Sequence, residues 1–258
     1  MSPWAWAQGE ELRADMRVDV PVAAGAGVVW IGSELLKPQL APSKCHWCEG
    51  NGVDDAVRGA LRWRNTTAAD AASGVIGFGL APAGALGMLA LVENHDDALH
   101  RWPTDAVLVL EAATIAADVN QLVKFGVGRE RPFVHALPES EKGAVAHPSD
   151  NNLSFYSGHT NWVFALAASS GTVATLRGYR WAPWVWGGGL TVAFTTGYLR
   201  IAADRHYFTD VIVGAALGSA FGFAIPYLFH SPRRDPTAPT FGFVPTQGGG
   251  MLVAQWLQ

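Results

Sequence analysis

The chain has 258 residues, a formal net charge of -4, 49% apolar residues and only 16% charged ones, against roughly 25% charged in ordinary soluble domains. That length allows one large domain or two small ones around a sizeable core, and the acidic balance without a basic run excludes a nucleic-acid binder. Eleven Trp and 29 Gly fit membrane helices, although a mean hydropathy of +0.14 is modest for a chain with many spans.

The first residues lack the basic and apolar regions of a signal peptide. Ala5-Trp6-Ala7 before Gln8 nevertheless reads as the small-x-small end of a cleavage site. Val20–Ser33 then runs without charge for 14 residues. The polar stretch 37–68 holds both cysteines, Cys45 and Cys48, in KCHWCEG. A CxxC can be a redox pair, half a metal site or a local disulfide. Zinc would need two further ligands, with only His46 nearby, and a thioredoxin-like role needs a βαβ setting that the sequence lacks. This favours a disulfide in an extracytoplasmic loop.

Four windows, 71–92, 151–176, 181–199 and 211–232, carry no charged residue, and each approaches the ~20 residues of a membrane span. The window 103–123 is weaker, with Asp105, Glu111 and Asp118; carboxylates at that depth face a bundle interior or a cavity. Glu111 and Asp118 share a helical face and are expected either to pair with buried arginines or to line water. His95-Asp96 reads as a solvated loop rather than a metal fragment. Residues 126–150 contain Gly126, Gly128, Pro132, Pro138, Gly143 and Pro148, so no regular element is expected there, and His135 and His147 are read as surface residues. After Pro232, TFGFVP-TQGGG-MLVAQW is either a short hairpin with a Gly-rich turn or a disordered tail. The expected architecture is all-α: a transmembrane bundle of about six helices in one domain, 1–232, with a tail at 233–258.

Helix alternation puts the connections 37–68, 126–150 and 200–210 on one side and both termini on the other. Lys and Arg number 11 on the first side and seven on the second. That excess places the first side in the cytoplasm by count, and it vanishes once cations needed for chemistry are set aside. Charge bias therefore leaves orientation open.

Chemistry-bearing residues concentrate on that first side. VKFGVGRERPF supplies Lys124 and Arg131, FYSGHT supplies Ser157, Gly158 and His159, and YLRIAADRHYFTD supplies Arg200, His206 and Asp210. Three fixed cations suit phosphate, since guanidinium forks match its oxygens. Ser157 and Gly158 at a helix start would turn free N–H groups toward an anion. His206 and Asp210, four apart, face the same way on a helix, so the carboxylate can hold one ring nitrogen and free the other as a nucleophile. His159 would protonate the leaving oxygen from the opposite side.

Together the segments resemble the type 2 phosphatidic acid phosphatase / vanadium haloperoxidase superfamily, with its K-x6-RP, PSGH and SR-x5-H-x3-D signature. The resemblance covers about residues 100–230, departing at Tyr156 and Leu199, where the family has Pro and Ser. It implies phosphate binding by Lys124, Arg131, Ser157, Gly158 and Arg200, with His159 as acid, His206 as nucleophile and Asp210 as its orienter. The implied enzyme is a lipid phosphate monoesterase or pyrophosphatase working through phosphohistidine, without a metal or other cofactor. Its substrate is a phosphorylated lipid in a bacterial inner membrane, with the site extracytoplasmic and no protein partner implied. Three other readings stand beside it: a soluble periplasmic acid phosphatase of broad specificity, a haloperoxidase holding vanadate, and a non-catalytic phospholipid-binding membrane protein.

Overall fold

The computed structural model describes residues 11–232, together with the backbone of 240–246 and 249–255. The helices among the described residues are α1 (Met16–Leu35), α2 (Lys37–Leu40), α3 (Gly52–Leu61), α4 (Thr66–Val75) and α5 (Ala81–His95). They continue as α6 (Trp102–Val127), α7 (Pro132–His135), α8 (Gly158–Leu176), α9 (Ala182–Ala202) and α10 (Phe208–His230). A π-helical turn, Ile76–Leu80, joins α4 to α5 into one rod. Six long rods therefore form the expected bundle. Four of them, 16–35, 66–95, 99–127 and 208–230, are long and apolar enough to cross a membrane by length and composition. Residues 240–246 and 249–255 pair as an antiparallel hairpin. The suspected cleavage signature, Ala5-Trp6-Ala7, lies outside the described residues.

Local chemistry sets the helix ends. Asp15 caps α1 by accepting from the Arg17 amide, and Asn51 caps α3 through the amides of Val53 and Asp54. Gly128 ends α6 in the left-handed conformation, φ 58°. A Cβ there would also stand 2.9 Å from His46 Nδ1, so both backbone and space call for glycine. The uncharged run from 151 does not begin as helix. Ser157 is extended and accepts from the Thr160 amide, so α8 starts at Gly158 and residues 151–157 form a buried loop. The stretch 126–150, expected to be irregular, forms the single turn α7 and two 3₁₀ turns, Lys142–Ala144 and Pro148–Asp150.

Helix α8 is the axis of the bundle, buried at every position from Thr160 to Ala174. In hydrocarbon, helices associate by close backbone approach at small residues, and α10 supplies such a ridge every fourth residue. A Cβ on Gly214, Gly218 or Gly222 would lie 2.8, 2.3 and 2.5 Å from the carbonyl oxygens of Ser157, Asn161 and Ala165 respectively. This contact locks the start of α10 to the start of α8. Gly218→Leu should therefore force the pair apart and cost at least about 3 kcal/mol, the upper range for overpacking. Thermal unfolding in detergent would show it, and an unchanged midpoint would refute the role given to the ridge.

The outer surface is apolar. Val28, Val29, Leu91, Phe194, Leu228 and Phe229 are all well exposed, as membrane-embedded helices require. At one end of the bundle Arg177 forks onto Asp105 (2.5 Å from Nη2 to Oδ1) and meets Glu11, while Arg13 donates to the carbonyl oxygens of Leu228 and Ser231. Asp105 is thus the carboxylate of α6 that pairs with a buried arginine. Glu111 instead faces His230, and Asp118 is half-buried. His95 ends α5 and Asp96 follows it at this end, where Asp96 accepts from the Arg180 amide.

At the other end the loops knit together. His46 N–H donates to the Gly128 carbonyl, Ser154 to that of Arg129 and Phe133 to that of Asp204. Helix alternation thus brings 37–68, 126–150 and 200–210 to the same end. Cys45 and Cys48 are disulfide-bonded there, under Trp47, whose ring lies 5.4 Å from Phe155.

Candidate active site

Every signature residue comes to this second end. Lys124 stands on the last turn of α6, Arg131 caps α7, Ser157 caps α8, Arg200 ends α9, His206 precedes α10 and Asp210 lies in its first turn. All six are buried. Gly158 abuts Lys124 so closely that a Cβ would be 3.0 Å from Nζ and 2.9 Å from Asn120 Oδ1. The start of α8 and Lys124 Nζ therefore lie side by side.

The two guanidinium groups are aimed by oxygen atoms behind them. Arg131 Nε donates to the Asp150 carbonyl at 2.8 Å. Arg200 Nη1 donates to Asp70 Oδ1 at 2.6 Å and to Ser73 Oγ at 2.7 Å, so α4 anchors it from behind. Arg205 shares Asp70, at 2.7 Å from Oδ2. Burial works against ionisation of Asp150, but Arg131 and Lys37 outweigh it and hold its carboxyl below the usual range.

His206 is held as a neutral ring. Its Nδ1 lies 2.7 Å from the Ser154 carbonyl, which can only accept, so Nδ1 carries the proton and Nε2 keeps its lone pair. Burial, followed by the charges of Arg131, Arg200 and Lys124, holds this imidazole well below its ordinary value. The direct hydrogen bond expected from Asp210 is taken by that carbonyl instead; Asp210 Oδ2 stands 3.7 Å from Nδ1, beyond hydrogen-bond range. Asp210 acts one step back, accepting from Ser154 Oγ at 2.5 Å and from the Tyr207 amide at 2.9 Å. It thereby fixes the segment that carries the carbonyl.

His159, half-buried, faces the π-helical turn. Its ring packs edge-on against Phe78 at 4.6 Å, and a Cβ on Gly77 would be 3.3 Å from its Cδ2. It lies within electrostatic reach of Arg200, His206, Lys124 and Arg131. Phe78 is half exposed on a membrane-spanning rod. The His159 side of the cluster therefore borders the apolar surface.

Sequence reasoning missed the residues that brace the site. Arg129 donates to Asp210 Oδ1 at 2.5 Å, to Asp54 Oδ2 at 2.7 Å and to Thr209 Oγ1 at 2.8 Å. Its guanidinium lies between the rings of Trp47 and Tyr207, at 4.0 and 4.1 Å. Arg129 shares GRERP with Arg131, and only the fold tells which of the two braces Asp54 and Asp210. Asn120, which donates to the Tyr156 carbonyl at 2.8 Å, and Asp70 carried no signal either. His135 stays near the surface, 3.1 Å from Glu130.

An all-α membrane bundle with a cluster of buried basic side chains and two histidines at one end is the class of protein defined by fold and site. The chain belongs to the PAP2 superfamily, whose profile matches residues 105–234. It is 36% identical over 126 residues to lipid A 1-phosphatase of Porphyromonas gingivalis, a match covering 49% of this chain and 24% of that protein. To phospholipid phosphatase 2 of Rattus norvegicus it is 25% identical over 130 residues, 43% of this chain and 47% of the relative. The chain thus spans less than half the length of these relatives. The crystal structure of a transmembrane PAP2 type phosphatidylglycerolphosphate phosphatase from Bacillus subtilis aligns with a TM-score of 0.49 and 16% identity, over 81% of this chain and 94% of that one.

Proposed function

We propose that this membrane protein is a lipid phosphate phosphatase that works through a phosphohistidine on His206. The observation that carries the reading is the pairing of a neutral, Nδ1-anchored His206 with three buried cations, opposite a His159 that borders the apolar surface. Lys124, Arg131 and Arg200 bind the phosphate oxygens, and Ser157 and Gly158 line it with the start of α8. His206 Nε2 attacks phosphorus, and the bond from phosphorus to the lipid oxygen breaks. His159, in its protonated form, gives a proton to that oxygen and becomes the neutral ring. Water, deprotonated by His159, then attacks phosphorus; the P–N bond breaks and inorganic phosphate leaves. No step calls on a metal. The lipid body stays beside Phe78 in the hydrocarbon, which favours a lipid over a soluble phosphate. The Cys45–Cys48 disulfide lies in the loop over this end and supports an extracytoplasmic site in a bacterial inner membrane.

Phosphate release from phosphatidate, an isoprenyl pyrophosphate and an aryl phosphate tests the reading. The panel is run in excess EDTA at a temperature where stability is not limiting. The lipid substrates should turn over at least tenfold faster at equal concentration, the scale of a modest apolar recognition term. Preference for the aryl phosphate, or no release at all, would contradict it.

The acid limb of the pH profile follows from His206. The nucleophile is the neutral ring, which persists down to a pKa below the ordinary ~6.5, so activity is retained as pH falls through 6.5 and is lost only further down. The acid limb of kcat/KM for the free enzyme should lie below 6.5 once the substrate's own ionisation is subtracted. A limb at or above that value would show His206 to be less desolvated than its contacts imply.

A further inference from the structure

At the end of the bundle away from the phosphate cavity, three buried side chains converge from three helices: Asp19 of α1, Glu111 of α6 and His230 of α10. One oxygen or nitrogen of each lies within 4.8 Å of the others. Glu111 precedes Lys124 by 13 residues, about 20 Å along the helix. Asp19 is the one buried residue of α1, while Val28, Val29 and Ile31 of the same helix are exposed. The inward face of α1 is thus pinned at this point by a carboxylate.

Two atoms of the cluster lack hydrogen-bond partners among the described residues, Glu111 Oε2 and His230 Nε2. Their residues are only 7% and 4% exposed. The two atoms face each other at 3.5 Å, close to the ~3.4 Å edge of a tetrahedron built on ~2.1 Å bonds. His230 Nδ1 is held at 2.8 Å by the Arg13 carbonyl, which places the lone pair of the neutral ring on Nε2. That is the outer-shell arrangement of a metal-binding histidine. Asp19 Oδ2 accepts from the Asp15 amide at 2.8 Å, which orients the second carboxylate. A protonated His230 offsets one of two buried negative charges, whereas a divalent cation offsets both.

We propose that Asp19, Glu111 and His230 bind one divalent first-row transition-metal ion that ties α1 to α6 and α10. One imidazole with two carboxylates suits Zn²⁺, Mn²⁺ or Fe²⁺ better than Mg²⁺ or Ca²⁺, which favour oxygen alone. The ion is remote from phosphoryl transfer and acts on how α1 docks.

The test uses the full chain in detergent, free of affinity tags, stripped with a chelator and reloaded with ZnCl2. Wild type should retain one zinc per chain after desalting and unfold at a higher temperature with zinc than with chelator. Asp19→Asn, Glu111→Gln and His230→Gln should each bind zinc at least tenfold more weakly. The triple variant Asp19→Leu/Glu111→Met/His230→Leu removes the buried charge and guards against misfolding of the single variants. It should fold without metal, ignore zinc and keep its phosphate release at low temperature. An unfolding midpoint in wild type that is the same with zinc and with chelator would overturn the proposal. So would stoichiometric zinc on the triple variant, which places the ion elsewhere.

Discussion

Replacing His206 with alanine should lower kcat by roughly 10⁴-fold or more, the scale on which a nucleophile acting as part of a unit is lost. KM should change far less, because the binding cations are anchored independently of this ring: Lys124 on α6, Arg131 by the Asp150 carbonyl, and Arg200 by Asp70 and Ser73. The fold should survive, since the ring contributes one hydrogen bond, to the Ser154 carbonyl. Steady-state kinetics on phosphatidate would separate the two parameters. A His206→Ala enzyme within tenfold of wild type would transfer the nucleophile's role to another group.

Arg129→Ala should be the most damaging substitution outside the reacting groups. Its guanidinium bridges Asp54 and Asp210, both fully buried, and removing it leaves two desolvated carboxylates facing each other without a cation. Breaking even a single buried pair in this way costs about 3–5 kcal/mol. The loss also releases Trp47 and Tyr207 from the cation between them, and with them the disulfide loop. Arg129→Lys should recover little, because one ammonium cannot reproduce a fork that reaches Asp54, Thr209 and Asp210 together. Thermal unfolding and phosphate release should fall together. Full stability in Arg129→Ala would mean that the three-way bridge contributes nothing net.

How far the sequence is legible follows from which interactions are local. The long helices show themselves as uncharged windows because hydrocarbon imposes that composition on the chain directly. The residues of the candidate site show themselves because basic and imidazole side chains stand at the ends of otherwise uncharged helices, and helix alternation gathers those ends. The direct hydrogen bond from His206 to Asp210 does not form, because i, i+4 spacing assumes that both residues are helical. His206 lies ahead of α10, which begins at Phe208, so the Ser154 carbonyl reaches its Nδ1 first. Ser154, Asp54, Asp70 and Arg129 were invisible for a related reason. The contacts by which they brace His206, Asp210 and Arg200 reach partners 52 or more residues away in sequence, and no local pattern encodes such contacts. The same holds for Glu111, whose helical face was read correctly as inward but whose partner, His230, is set by how α6 and α10 pack.

The most direct test is to mix enzyme with ³²P-labelled phosphatidate, quench into alkali within the first turnover, and map the label by peptide sequencing. The account predicts alkali-stable, acid-labile phosphate on the peptide containing His206, and accumulation of that label when His159 is changed to alanine and a leaving group that needs no proton is supplied. Phosphate release without any covalent label under those conditions would contradict it, since water would then be attacking phosphorus directly.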